Sequence, residues 1–364
     1  MEKDGSEMFQ NIKIIDSHTH VENSGIIKHL VQAAQKHNFD KFAVMSISCA
    51  GVSNIAQNLL CALAKIMYPE KIYAYGGLSY PDDSTRVDGQ YLLEQAVRLK
   101  QLGFDGMKML EGKPDTRKQT GLPLDSTVYD KYYSYLEAEG IPVTYHVGDP
   151  KVFWDEEKAP DWAKKEGWTY TDGSFVSKEA LYREVDGFLS KFPKLKVTFA
   201  HFFFMGEEGI KRASEFLDRW PGVNYDLTPG IEMYGSFSED PENWREFFIK
   251  YQDRILFGSD NGIDESLVYI DVTRRFLETF DKFQCRDLQI KGIGLERDIL
   301  EKIYHGNFEG RTGNTPAGIN TKMLLDECHR VMDFVRHDKT SPTILPEVRK
   351  TCEEIREFLK ETRY

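Results

Sequence analysis

A handful of side chains in this sequence could do chemistry together if the fold collected them. His18 and His20 close the stretch Ile14-Ile15-Asp16-Ser17-His18-Thr19-His20. Its apolar start reads as a short strand, and side chains two apart on a strand point the same way. The pair can therefore offer two imidazoles to one point, a geometry suited to a divalent metal. A plainer reading makes both of them polar residues at a strand end. His146, His201 and Asp260 follow later, each at the end of a short run with strand character, and Lys108 lies near the end of another. They too have plain readings: a histidine can cap a sheet, and Asp260, in Gly258-Ser259-Asp260-Asn261-Gly262, suits a turn.

The elements that would position these residues alternate in type. Strand candidates fall at 14–20, 42–47, 72–78, 105–110, 142–147, 196–201, 223–227 and 255–260, and a stripe of apolar residues at helical spacing follows at least the first seven. This pattern implies an α/β protein built as a (β/α)8 TIM barrel. A doubly wound open sheet is the second fold that fits. In a barrel the site is built at the C-terminal ends of the strands. The chain has nine histidines, and four of them (His18, His20, His146 and His201) fall at such ends, which favours a common site over scattered caps. Asp16 reads as a buried hydrogen-bonding partner rather than a ligand.

Beyond residue 310 the pattern changes. Leu324, Cys328, Val331 and Val335 share one helical face, as do Val348, Cys352, Ile355 and Leu359. The expected organisation is a barrel over 1–310, with an aromatic insertion at about 148–177, and C-terminal helices over 311–364 packed on its outside.

Composition narrows the function class. No apolar run approaches the roughly 18 residues needed to span a membrane. The polar start of the chain lacks a signal-peptide core. A net charge of −12 argues against nucleic acid and anionic membranes as partners, though not against a small anionic substrate in a locally positive site. Five cysteines without a CxxC pair suggest reduced thiols and a cytoplasmic protein.

The segments DSHTHVE, VTYHVGDP, PKLKVTFAHF, ILFGSDN and IYHGNFEG resemble the amidohydrolase superfamily. More narrowly, they resemble the branch that contains aminocarboxymuconate-semialdehyde decarboxylase, over roughly residues 11–310. The resemblance implies that His18, His20, His146 and Asp260 ligate one divalent metal, zinc first, with manganese or iron as alternatives. It implies His201 as general acid or base beside the metal's water, with Asp260 also able to accept a proton. The implied activity is a metal-dependent hydrolase acting on a small-molecule amide, ester or lactone. Non-oxidative decarboxylation of a small carboxylic acid is the alternative, and a non-catalytic ligand-binding barrel is a third.

Substrate contacts are expected from Lys108, from Trp154 in the insertion and from Tyr225 on the seventh strand, where either Tyr225 or Asp226 must face the mouth. A buried ammonium is costly unless paired. Lys108 therefore pairs with Glu111, binds a substrate carboxylate, or is carboxylated and bridges two metals. The insertion reads as a lid over the site or as packing against helices of this subunit or a second copy, so a homodimer is one expected assembly.

Overall fold

The computed structural model describes residues 11–37, 39–49, 54–260, 267–339 and 343–362. The polar start of the chain, and Asn261 and Gly262 beside Asp260, lie outside the described residues.

Eight parallel strands form one sheet in sequence order: β1 (Ile14–Thr19), β2 (Phe39–Met45), β3 (Ile72–Gly77), β4 (Gly106–Gly112), β5 (Val143–Val147), β6 (Val197–Phe199), β7 (Val223–Asp226) and β8 (Ile255–Leu256). Hydrogen bonds from Ser17 N to Phe257 O (3.0 Å) and from Asp260 N to His18 O (2.8 Å) join the last strand to the first. The fold is thus the (β/α)8 barrel that the alternation implies. The open doubly wound sheet is excluded.

Alternation along the strands divides the core in two. Ile15, Ala43, Met45, Tyr73, Tyr75 and Leu256 fill the barrel interior with Phe308. Ile14, Val44, Met107, Tyr145, Phe199 and Tyr225 face the helical layer. Helix Gln57–Met67 is buried almost all round, because it lies under the C-terminal helices Thr321–Asp338 and Ile344–Glu361. Such a helix needs apolar residues on every face, and Leu59, Leu60 and Leu63 supply them. Each fully buried side chain of this kind contributes about 1.5–3 kcal/mol.

Three boundaries differ from the sequence reading. Strand β2 starts at Phe39, ahead of residue 42. Strand β8 covers only Ile255–Leu256: Phe257 N turns to Ile303 O, and Asp260 beyond it takes a left-handed φ of 54°. The division at 310/311 falls inside helix Asn307–Thr312. This helix plugs the barrel's far end: Tyr75 Oη meets Thr312 Oγ1 at 2.7 Å, and Arg311 donates to Asn224 Oδ1 at 2.7 Å. The stripes of the two C-terminal helices are buried as expected, with Leu324, Cys328, Val348 and Cys352 fully so.

A hairpin that the sequence reading passed over, β9 (Lys282–Cys285) paired antiparallel with β10 (Leu288–Lys291), follows helix Leu267–Glu278.

One buried ion pair ties the barrel to its extension. Lys65 Nζ donates to the Asp105 carboxylate and to Gly103 O (2.8 Å). Asp105 also accepts from Ala74 N (2.8 Å) and Ala317 N (2.7 Å). Gly103 has φ of 108°, and a Cβ there would lie 2.2 Å from Gly318 O. Removing one partner of a buried pair costs about 3–5 kcal/mol. Asp105→Ala should therefore destabilise the fold by about that amount in urea denaturation, since it strands the ammonium and two backbone donors. Lys65→Met should cost clearly less, because the carboxylate keeps its backbone partners. The reverse order would contradict this account.

Candidate metal centre

The register between β1 and β2 shifts between Asp16 and Thr19. Such irregularities re-aim side chains, and both His18 and His20 line the mouth cavity. Asp16 stays behind them, fully buried, and accepts from Ser259 Oγ (2.5 Å), Ser259 N (3.0 Å) and His18 N (3.2 Å). It acts as the buried partner expected of it.

Each histidine is held from behind by an acceptor. His18 Nδ1 lies 2.9 Å from Asp226 Oδ2. His20 Nδ1 lies 2.9 Å from Met45 O. His201 Nδ1 lies 3.2 Å from Thr228 O. His146 is reversed: Nε2 lies 3.0 Å from Gly148 O and 3.3 Å from Asp149 Oδ1. A carbonyl or carboxylate oxygen only accepts, so the ring nitrogen facing it carries the proton. In a neutral imidazole the opposite nitrogen is then a lone pair. Those four lone pairs face one another: His18 Nε2 to His20 Nε2 at 3.2 Å, and His146 Nδ1 to His201 Nε2 at 3.2 Å.

Asp260 closes the set. Its Oδ1 lies 3.2 Å from His20 Nε2 and 3.5 Å from His18 Nε2, and its Oδ2 lies 3.8 Å from His201 Nε2. Donor atoms of His18, His20 and Asp260 all fall within 4.8 Å of one another. His146 faces the same cavity but stands with His201 rather than inside that tight trio.

The backbone is strained to achieve this. His201, Phe202, Phe203 and Phe204 run at φ of 55°, 55°, 55° and 51°, a left-handed turn that costs about 1–2 kcal/mol per residue. Asp226 offsets part of that cost. Its Oδ1 accepts from His201 N (2.9 Å), Thr228 N (3.1 Å) and Thr228 Oγ1 (2.5 Å). Stacking of Phe199 on Phe203 at 4.2 Å adds to it. Strain of this kind concentrates at functional sites.

Burial favours the neutral form of His18, His146 and His201. Burial pushes His18 and His201 down to about 4. Lys108 is buried, and burial pushes it down to about 8. Its Nζ donates to His18 Nε2 at 2.7 Å. The expected pairing with Glu111 is not formed: Glu111 instead accepts from Tyr80 Oη and Leu110 N, both at 2.8 Å.

The cavity measures about 1190 Å³. Its walls include Ile47, Leu110, Val272 and, from the hairpin, Phe283 and Arg286. The hairpin's signal was its alternation, with Phe283 and Cys285 buried between exposed residues. Two expected substrate contacts are corrected. Tyr225 packs outward against Phe202 (4.8 Å between ring centroids) and donates to Ala213 O, so Asp226 is the inward residue of that pair. Trp154 packs in the insertion's own apolar cluster with Phe153 and Tyr170, and its Nε1 donates to Val176 O at 3.1 Å. Trp168 from the same insertion lines the cavity instead. The insertion is therefore self-packed and also forms part of the mouth.

The donor set fits a divalent cation: lone pairs and a carboxylate converge where no protein proton satisfies them all, and nitrogen with oxygen ligands suits zinc or manganese. The tautomers are directly testable. Imidazole ¹⁵N spectra of metal-free protein at pH 7 should show His18 and His201 neutral with the proton on Nδ1, and His146 neutral with it on Nε2. Charged rings or mixed tautomers would contradict the geometry.

Comparisons with known proteins agree with this fold. A family model described as Amidohydrolase matches residues 76–307. No curated protein matches the chain in sequence. Among solved structures, 5-carboxyvanillate decarboxylase from Sphingomonas paucimobilis aligns with TM-score 0.53 at 11% identity, covering 83% of this chain and 99% of its own. 4-Oxalomesaconate hydratase from Rhodopseudomonas palustris aligns with TM-score 0.52 at 16% identity, covering 89% and 100%. The 5-carboxyvanillate decarboxylase of Novosphingobium aromaticivorans, complexed with manganese, aligns with TM-score 0.52 at 14% identity, covering 85% and 98%. The model match spans most of the barrel, including His146, His201 and Asp260. The chain belongs to the amidohydrolase-2 family of metal-dependent enzymes.

Proposed function

We propose that the chain is a metal-dependent hydrolase that directs an activated water onto a small-molecule amide, ester or lactone. The observation that carries this reading is the convergence of the His18 and His20 lone pairs with Asp260, beside the His146–His201 pair, at the mouth of a large cavity. His18, His20, Asp260 and, across the mouth, His146 would hold the ion. A divalent metal there supplies Lewis acidity, which brings the pKa of a coordinated water towards about 7 and polarises a substrate oxygen. The remaining roles belong to the chain. His201 Nε2 is a neutral acceptor, fixed by Thr228 and Asp226, and is suited to take the water's proton and return it to the leaving group. Asp260 Oδ2 is a second acceptor beside it. Lys108, whose Nζ lies 2.7 Å from His18 Nε2, is the cation proposed to meet a developing negative charge or a substrate carboxylate.

That position of Lys108 supports a second reading, decarboxylation of a small carboxylic acid, and the decarboxylases among the similar folds accord with it. The first set of ligands serves both reactions. Among the described residues no helix is long and apolar enough to cross a membrane. All five cysteines are free and buried, which supports the proposed cytoplasmic location.

Protein purified without chelators should carry about one zinc or manganese ion per chain by elemental analysis, and His18→Ala should lose most of it. Sub-stoichiometric metal throughout, or no effect of His18→Ala, would remove the basis of the proposal. Two ions per chain would favour a carboxylated Lys108. Incubation with a panel of lactones and aromatic acids separates the reactions: ring opening supports the hydrolase, and CO2 release without hydrolysis overturns it. His201→Asn should lower turnover about 10²–10⁴-fold while leaving metal content unchanged.

A further inference from the structure

Asp149 is buried at 4% exposure, and its two oxygens serve different elements. Oδ1 faces His146 Nε2 at 3.3 Å. Oδ2 accepts from Lys113 Nζ at 2.7 Å and from Tyr170 Oη at 2.5 Å. Lys113 follows β4 directly, and its Nζ also lies 3.2 Å from Tyr170 Oη and 4.3 Å over the Trp168 ring. Trp168 and Tyr170 belong to the aromatic insertion. One carboxylate therefore joins the end of β4, the end of β5 and the insertion. A buried carboxylate needs a cation and hydrogen-bond donors. Lys113 and Tyr170 meet that need through one oxygen, and the other oxygen is left for the imidazole.

We propose that Asp149 is the positioning residue of His146, and that the insertion acts on the metal centre through it. With Nε2–H committed to Gly148 O and the Asp149 carboxylate, the Nδ1 lone pair must face the centre. A carboxylate behind a ligating imidazole fixes the ring's orientation and strengthens it as a donor. Lys113 and Tyr170 in turn fix where that carboxylate stands. The insertion thus does more than wall the mouth: its Tyr170 hydroxyl grips the group that aims His146. The proposal rests on the reading of His146 as a ligand.

The test is Mn²⁺ affinity by titration calorimetry, and the visible spectrum of the Co²⁺-loaded protein, for the full chain and for Asp149→Asn, Tyr170→Phe and His146→Ala. Asp149→Asn should weaken Mn²⁺ about 10–100-fold and shift the Co²⁺ bands, with far-UV circular dichroism unchanged. Tyr170→Phe keeps the ring and removes only the hydroxyl, so it should give a smaller loss of the same sign. Unaltered affinity and spectrum in Asp149→Asn, alongside a clear loss in His146→Ala, would overturn the proposal while leaving the metal centre intact. Should Asp149→Asn fail to fold, wild-type affinity in Tyr170→Phe would overturn the insertion's part. Failure of the unmodified chain to bind Mn²⁺, or full binding by His146→Ala, would overturn the underlying reading and this proposal with it.

Discussion

Four imidazoles, each with its outer nitrogen bonded to an acceptor, turn their inner nitrogens towards one another in two pairs, and in the neutral rings those nitrogens carry lone pairs. No arrangement of protein protons satisfies all of them at once. Burial prevents the rings from resolving the conflict by charging, since it drives His18 and His201 well below neutrality. Lys108 answers only one lone pair, that of His18. The remaining nitrogens and Asp260 make a donor set suited to a divalent cation, and much of the surrounding structure holds them in place. Asp226 pins His18 and the backbone of His201 with its two oxygens, and Asp16 binds β1 to the residues that lead into Asp260.

Holding polar groups in this state costs stability, and the barrel offsets the cost elsewhere. The left-handed turn at His201–Phe204 is bracketed by an aromatic cluster of Phe199, Phe202, Phe203, Phe216, Tyr225 and Phe237. Tyr182 Oη donates to Phe203 O inside that turn. At the opposite end of the barrel, Phe308 and Arg311 close the interior. The site is thus the loosely satisfied end of an otherwise densely packed cylinder.

Much of this was legible in the sequence because it followed period and position. Eight apolar runs separated by helical stripes leave few folds open, and four histidines at strand ends point to one mouth. What escaped had a physical reason in each case. Tyr225 and Asp226 are neighbours on one strand, so alternation puts one in and one out, and the sequence gives no phase. The charged residue turned inward because His18 and the strained turn supplied its partners. Trp154 and Trp168 sit in a segment without periodicity, where only tertiary packing decides which ring reaches the cavity. The Lys108–Glu111 pairing failed because Tyr80 and a backbone amide had already satisfied Glu111. Asp149 carries no sequence signal beyond its place three residues after His146.

The central claim is that these lone pairs exist to hold a cation. Crystals grown with Mn²⁺ and measured at a wavelength where manganese scatters anomalously would test it most directly. The account predicts an anomalous peak within about 2.0–2.3 Å of His18 Nε2, His20 Nε2 and an Asp260 oxygen. A fully occupied peak elsewhere with none among these residues, or no peak at all, would contradict it.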